Sequence, residues 1–353
     1  MTDLFSHPWF SGLFGDAETQ EIWSAERSLT HMLAFEAAYS RGLGAIGRIP
    51  AEQADAAAAW IEQAVPGMDT LRAGTMADGL PVPALVQALR SDAGPLAPAI
   101  HTGTTSQDVM DTALALTLRE TSNLLQTRLS QLSDMLGDLS EQFSERKIMG
   151  RTRMQAALPV TVGHRIGTWR SPLHAFHHSI EDIRPKIERV QLGGPVGDGQ
   201  TIGTARRDLA THIANSLGLH DVDHGWQTDR NGLVDYANLL SRISGSLGKI
   251  GQDICLMAQE GVDEITLSGG GTSSAMPHKQ NPILAELLVT LARFNATQIS
   301  GMHHALVHEQ ERSGSAWALE WMILPIMAQT TARSLTAATT LCSQIVSIGV
   351  APA

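Results

Sequence analysis

A chain of 353 residues with 43% hydrophobic residues has material for a large core and for two or three domains. Charged residues make up only 17%, below the usual quarter of a soluble protein, so part of the surface is expected to be covered by other subunits. The formal net charge of −11 argues against nucleic acid or an anionic membrane as a partner, and no apolar run reaches a membrane-spanning length.

The opening residues, Met-Thr-Asp-Leu-Phe-Ser-His, lack a basic region followed by an apolar one, so a cytoplasmic location is expected. Residues 1–20 are aromatic and Gly-rich without a clear period. From about Glu21 a helical spacing begins with Ile22, Leu29, Leu33 and Ala37, and Gly42 to Gly47 offers a stop. The Ala-rich stretch 51–64 predicts a second helix. Several Pro and Gly fall in 66–83, and 84–91 predicts a short third helix before Gly94 and Pro95. Residues 1–100 therefore read as a small helical domain.

His101-Thr-Gly-Thr-Thr-Ser-Gln-Asp108 follows, with five hydroxyl or amide side chains within seven positions. Two readings stand. A helix N-terminus rich in hydroxyls and free amides suits a carboxylate, because the helix dipole is positive there. Alternatively Thr105, Ser106 or Asp108 is an ordinary cap.

The helix beyond it carries a seam of Leu114, Leu118, Leu125, Leu129, Leu132, Leu136, Leu139 and Phe143. A second seam runs through Tyr236, Leu240, Ile243, Leu247, Ile250, Ile254 and Met257, and further helices are predicted over 283–311 and 317–347. Almost no segment alternates with period two. The expected fold is all-α, an elongated bundle of long helices over 101–347, with 348–353 as a tail. Seams of this length pack against several partners, so an oligomer is expected. Cys255 and Cys342 both lie in apolar helical patterns and read as buried, inert thiols.

Residues 191–207 form a Gly-rich loop that lacks the Gly-Lys-Ser/Thr of a phosphate loop and follows no Rossmann strand. Fourteen histidines raise the question of a metal. His304 and His308 are four apart, and His174, His177 and His178 cluster, but no His-Glu-x-x-His is present, so no metal is expected and these read as solvated or interfacial. Glu309, Glu311 and Arg312 read as surface ion pairs or as substrate contacts across a subunit interface, Arg312 being the stronger candidate for the latter.

Between the second seam and the next predicted helix lies Gly269-Gly-Gly-Thr-Ser-Ser-Ala-Met-Pro-His-Lys-Gln-Asn-Pro282. Consecutive glycines let the backbone approach a ligand, the serines supply hydroxyls and open amides, Lys279 a cation and Asn281 a two-sided hydrogen-bonder. Pro277 and Pro282 bracket the cluster. A polar loop between apolar helices makes sense as one that closes over an anionic substrate.

This loop resembles the signature of the fumarase/aspartase superfamily, Gly-Ser-Ser-x-Met-Pro-x-Lys-x-Asn, at Ser273, Ser274, Met276, Pro277, Lys279 and Asn281, with Thr272 intervening after Gly271. His101, Gly103, Thr105, Ser106 and Asp108 resemble its first signature region, which favours the carboxylate-binding reading of that stretch. Thr152, Gln155, Ala157, Pro159, Thr161 and Gly163 resemble the second. Arg153 stands where many lyases of this family carry a histidine acting as general acid. Arginine does not release a proton near neutral pH but can clamp a carboxylate bidentately.

The resemblance implies a homotetramer with active sites shared between subunits, no cofactor and a di- or tricarboxylate substrate; the chain ends soon after its last long helix, so the small C-terminal domain common in the superfamily is expected to be absent or vestigial. The resemblance also places the Gly-rich loop 191–207 near the site, although a plain connection reads equally well. It implies Ser273 as the acid/base, with Lys279, Asn281 and loop amides stabilising a developing dianion. Thr105, Ser106, Arg153 and Gln155 would hold carboxylates, with Ser274, Met276 and Arg312 completing the binding set. His101 and His278 are second candidates for proton transfer. Met276-Pro-His-Lys-Gln-Asn-Pro282 is similar to both adenylosuccinate lyases and 3-carboxy-cis,cis-muconate cycloisomerases. Leu33-Ala-Phe-Glu-Ala-Ala with Gly47-Arg-Ile-Pro50, Trp226-Gln-Thr-Asp-Arg230, and Gln310 to Trp321 are similar to the cycloisomerase family, which implies lactonization of a carboxymuconate in protocatechuate breakdown. A fumarate-releasing lyase and a catalytically silent scaffold are the alternatives.

Overall fold

The computed structural model describes residues 4–272, 275–276 and 279–350. Short helices open the chain: α1 (Ser11–Phe14), α2 (Ala17–Ile22), α3 (Ala25–Ala45), α4 (Ala51–Glu62), α5 (Met68–Asp78) and α6 (Val82–Ser91). Asp16 caps α2 by accepting from the Thr19 N–H, and Ser24 caps α3 by accepting from Arg27. Helix α5 falls within the stretch 66–83 that holds several Pro and Gly. Two glycines bound it: Gly67 precedes the first turn, and Gly79 ends the helix at φ +77, a conformation that disfavours any residue with a Cβ.

The first seam forms α7 (Ser106–Phe143), 38 residues and hence about 57 Å long. Leu118 to Phe143 of the seam are buried, while Leu114 packs at its edge. Strands β1 (Lys147–Thr152) and β2 (Gln155–Thr161) then make an antiparallel hairpin, with Lys147 opposite Thr161 and Thr152 opposite Gln155. Period-two alternation does not mark these strands, because most of their residues are exposed on both faces and only Ile148 is buried.

The chain returns through α8 (Val162–Ile187), crosses α9 (Arg206–Leu217), and enters the second seam as α10 (Asn231–Met257). Strand β3 (Ile265–Leu267), the two-residue strands β4 (Gly271–Thr272) and β5 (Gln280–Asn281), α11 (Ile283–His304), α12 (Gly314–Ser343) and β6 (Ile345–Ile348) complete it. Helix α11 stops short of its predicted end at 311, and α12 both begins and ends a few residues before its predicted bounds of 317–347. Residues 305–313 are a connection ending at Ser313, whose hydroxyl caps α12. The apolar run 345–348 pairs with β3 as a strand, and Val350 pairs with Lys147.

Side-chain bonds fix the helix directions. Asp111 meets Trp317 and Arg128 meets the Ala332 carbonyl, so α12 runs parallel to α7. Arg230 meets Asp111 and Tyr236 meets Ser122, so α10 does too. Helix α8 runs back along α7 through Ser133–Arg170, and α11 runs back along α10 through Ser244–Asn295. At Gly251 a Cβ would come within 2.4 Å of the Ala285 carbonyl, so this glycine sets how closely α10 and α11 approach. A second apolar cluster joins α3–α6 to residues far along the chain, among them Val190, Leu192, Leu209 and Ile213. Cys342 is buried, its thiol pushed up to about 12 by desolvation; Cys255, expected to be buried as well, is only half-buried at the edge of the core. No described helix is long and apolar enough to cross a membrane.

Candidate active site

The first signature stretch is held in place by Asp108. Its fully buried carboxylate accepts the Thr105 N–H (3.1 Å), the Thr104 hydroxyl (2.9 Å), and the N–H groups of Gly193 (2.8 Å) and Gly194 (2.9 Å). The acid therefore caps α7 and binds the glycine loop to it. The loop lies against the predicted site residues, with the Thr201 hydroxyl on the Gly103 carbonyl. The Thr105 hydroxyl serves another partner. Arg312 donates to it from Nη2 at 3.0 Å, to Gln107 Oε1 from Nε at 3.0 Å, and to the Pro195 carbonyl at 3.2 Å. Thr105, the half-buried Ser106 and the exposed Arg312 thus gather at the N-terminus of α7, where the helix dipole favours an anion.

Desolvation pushes the Asp108 carboxyl from 3.8 up to about 6, against the hydrogen bonds it accepts. The folded value lies above the unfolded one, so this group favours the fold fully below 3.8 and loses that contribution as pH rises through about 6. Asp108→Asn is expected to abolish a fall in stability of up to about 3 kcal/mol between roughly pH 4 and 6. Denaturation midpoints taken across that range read it, and parallel curves for both proteins would refute it.

His101 sits at φ +54, with Nδ1 2.5 Å from Glu36 Oε1. Glu36 is fully buried on α3, and its other oxygen has no hydrogen-bond partner among the described residues. A carboxylate on Nδ1 orients the ring and leaves Nε2 for proton transfer. Sequence reasoning missed Glu36 in this role. Its signal was present: a lone acid on the apolar face of Leu33-Ala-Phe-Glu-Ala-Ala.

Behind Arg312 lies a buried charge cluster. Arg230 donates to Asp111 at 2.6 and 3.0 Å and to Glu320 at 2.8 and 2.5 Å. Trp317 Nε1 donates to Asp111, and His308 Nε2 lies 3.5 Å from Glu320. His308 was expected to share a helix with His304 and to be solvated or interfacial. The helix instead ends at His304, and the His308 side chain is 1% exposed against an acid. Gln227 ties this cluster to the site: its carbonyl accepts from Gln107 and its amide donates to the Glu311 carbonyl. Among the described residues no group of three His, Cys, Asp or Glu could hold a metal.

The other predicted residues lie elsewhere. Arg153 and Met154 form the two-residue turn of the hairpin at φ +49 and +66, a left-handed pair that costs bulky residues about 1–2 kcal/mol each. Exposed Arg153 lines a cavity of about 390 Å³ with Arg151, Arg165, Asp253, Gln259 and Glu264, and Gln155 is exposed at the start of β2. Asn281 lies in the β4–β5 ladder that closes the base of the signature loop, and with Gln280, Thr266 and Asp263 it lines a cavity of about 220 Å³. Lys279 and Met276 are exposed. Ser273, Ser274 and His278 lie outside the described residues.

These groups occupy two ends of the bundle. Thr105, Ser106 and Arg312 sit where α7, α10 and α12 begin. The hairpin and the signature loop sit where those helices end, about 57 Å away along α7. One chain brings Thr105, Ser106, Arg312 and His101 to one end, and Arg153, Gln155, Lys279 and Asn281 to the other.

A model of a lyase family matches residues 11–301. The 3-carboxy-cis,cis-muconate cycloisomerase of Pseudomonas aeruginosa is 34% identical over 333 residues, covering 92% of this chain and 72% of the relative. That of Acinetobacter baylyi is 31% identical over 339 residues, 92% and 74% of the two chains. The crystal structure of 3-carboxy-cis,cis-muconate lactonizing enzyme from Pseudomonas putida superimposes with a TM-score of 0.89 at 29% identity, over 96% of this chain and 77% of that one.

Proposed function

The chain belongs to the lyase family of the fumarase/aspartase superfamily, and from that premise we propose that it is a cycloisomerase closing 3-carboxy-cis,cis-muconate, or a close analogue, to a carboxymuconolactone. In this reaction one carboxylate oxygen adds to the alkene carbon that bears the 3-carboxyl group. A proton goes to the neighbouring carbon, which is α to another carboxylate. The chemistry needs stabilisation of an aci-carboxylate and one proton donor.

Arg153 carries the choice of reaction. Read backwards, lactone formation is a β-elimination whose leaving group is a carboxylate. Such a group leaves as a stable anion and needs a cation beside it. An amine or hydroxide leaving group needs a proton, which the lyase histidine supplies and arginine does not. Arg153 stands in that position, on a backbone turn strained for a residue of its size.

In this reading Thr105, Ser106 and Arg312 bind one carboxylate at the N-terminus of α7. Arg153 and Gln155 bind a second, and Lys279 with Asn281 stabilises the dianion. Ser273 carries the proton, with the Glu36-oriented His101 next in line. Residues at two ends of one bundle serve one site only when different copies supply them, and we take the assembly to be a homotetramer. The exposed Met154 and Leu158 on the hairpin, 73% and 75% accessible, support its burial against another copy. A cytoplasmic location fits the two free thiols.

Purified protein is expected to bleach the diene absorbance of 3-carboxy-cis,cis-muconate at the same rate with and without a chelator. Ser273→Ala should slow it by roughly 10²–10⁴-fold. Unchanged absorbance together with cleavage of adenylosuccinate would move the protein to the lyases, and near-normal turnover by Ser273→Ala would sink the serine assignment.

A further inference from the structure

Arg189, two residues past α8, is a half-buried cation whose Nε is buried without a hydrogen-bond partner among the described residues. Its guanidinium carbon lies 5.1 Å from the Trp226 ring centroid. The indole is fixed in turn, with Nε1 on the Val190 carbonyl and the Trp226 N–H on Gln191. Together they wall a cavity of about 290 Å³, also lined by Asp223, His224, Gly225 and Asp229. Both acids there have other partners. Asp223 pairs with Arg207 at 3.3 Å, and Asp229 accepts from the Asn231 N–H and side-chain amide. Arg230, on the same indole at 4.8 Å, is saturated by Asp111 and Glu320.

The buried Nε is closed to a ligand, so an anion entering the cavity would meet the Nη end of the guanidinium, to which no described carboxylate is hydrogen-bonded. Desolvation holds the Arg189 pKa below its ordinary value, Asp229 and Asp111 oppose this, and the adjacent Arg230 cation adds to it. We propose that this cavity is a binding site for a small carboxylate, taken by the Nη end of the Arg189 guanidinium over Trp226, with His224 as second donor. The planar fork and the flat indole favour a planar carboxylate over a tetrahedral anion. The proposal does not depend on the activity given above.

Calorimetric titration with malonate tests it. The wild-type protein is expected to bind one more equivalent per chain than Arg189→Met, and Arg189→Lys should bind that equivalent at least about 10-fold more weakly, having lost the fork. Arg189→Lys keeps the charge and the stem, which guards against a folding failure in the methionine variant. Equal stoichiometry and affinity in all three proteins would overturn the site. An Arg189-dependent equivalent seen with inorganic phosphate but not with malonate would overturn the carboxylate assignment.

Discussion

Two inactive variants are expected to restore each other. Arg312→Met removes the cation at the start of α7, and Lys279→Met removes the cation of the signature loop at the far end of the bundle. Each should lower turnover by roughly 10²–10³-fold, the usual cost of losing one stabiliser of developing charge. Mixed and allowed to exchange subunits, the two proteins form assemblies in which some sites draw Arg312 from one chain and Lys279 from another. Those sites are complete, and activity should rise well above either parent. Arg312→Met mixed with Thr105→Ala is the control. Both residues lie at the same end and meet at 3.0 Å, so one copy supplies both and no mixed site is complete. Recovery in the control pair as well, or in neither pair, would sink the shared-site geometry.

That geometry was only half legible in the sequence. Seams such as Leu118 to Phe143 bury one face of a helix, and burial of one face writes a period into the residues. The hairpin 147–161 buries almost nothing in one chain, so it wrote no period, and its strands emerged only from backbone pairing. Glu36, Glu320 and Asp111 are acids buried on the packed faces of their helices. Each was visible as an oddity, but its partner is far away in the chain: His101, His308 and Arg230 are named only by the fold. The Trp226 to Arg230 and Gln310 to Trp321 stretches served as branch markers, whereas their Arg230 and Glu320 meet in the buried cluster that joins the starts of three long helices.

That cluster should dominate stability. Arg230→Met leaves Asp111 and Glu320, both 1% exposed, in the interior without their cation. Removing one partner of a buried ion pair costs about 3–5 kcal/mol, because the other charge remains desolvated. Here two carboxylates are stranded, and the expected loss lies at the upper end. Burial already raises the Asp111 carboxyl, with Arg230 the main opposing influence, and Arg230 is also one of the groups that hold Glu320 below its ordinary value. Without the cation both carboxyls should titrate above their unfolded values. Their contribution is then fully present below the unfolded values and lost as pH rises through the raised ones. The deficit of Arg230→Met relative to wild type should therefore shrink as pH falls from neutral towards the unfolded carboxylate range. Replacing Arg230, Asp111 and Glu320 together with apolar residues of matching volume should recover much of the lost stability, but not the activity, since His308 and the Arg312 segment would lose their anchor. Denaturant midpoints for wild type, Arg230→Met and the triple variant at neutral and mildly acidic pH separate these terms. A deficit independent of pH would mean that lost packing around Trp226 and Trp317, and not stranded charge, sets the cost.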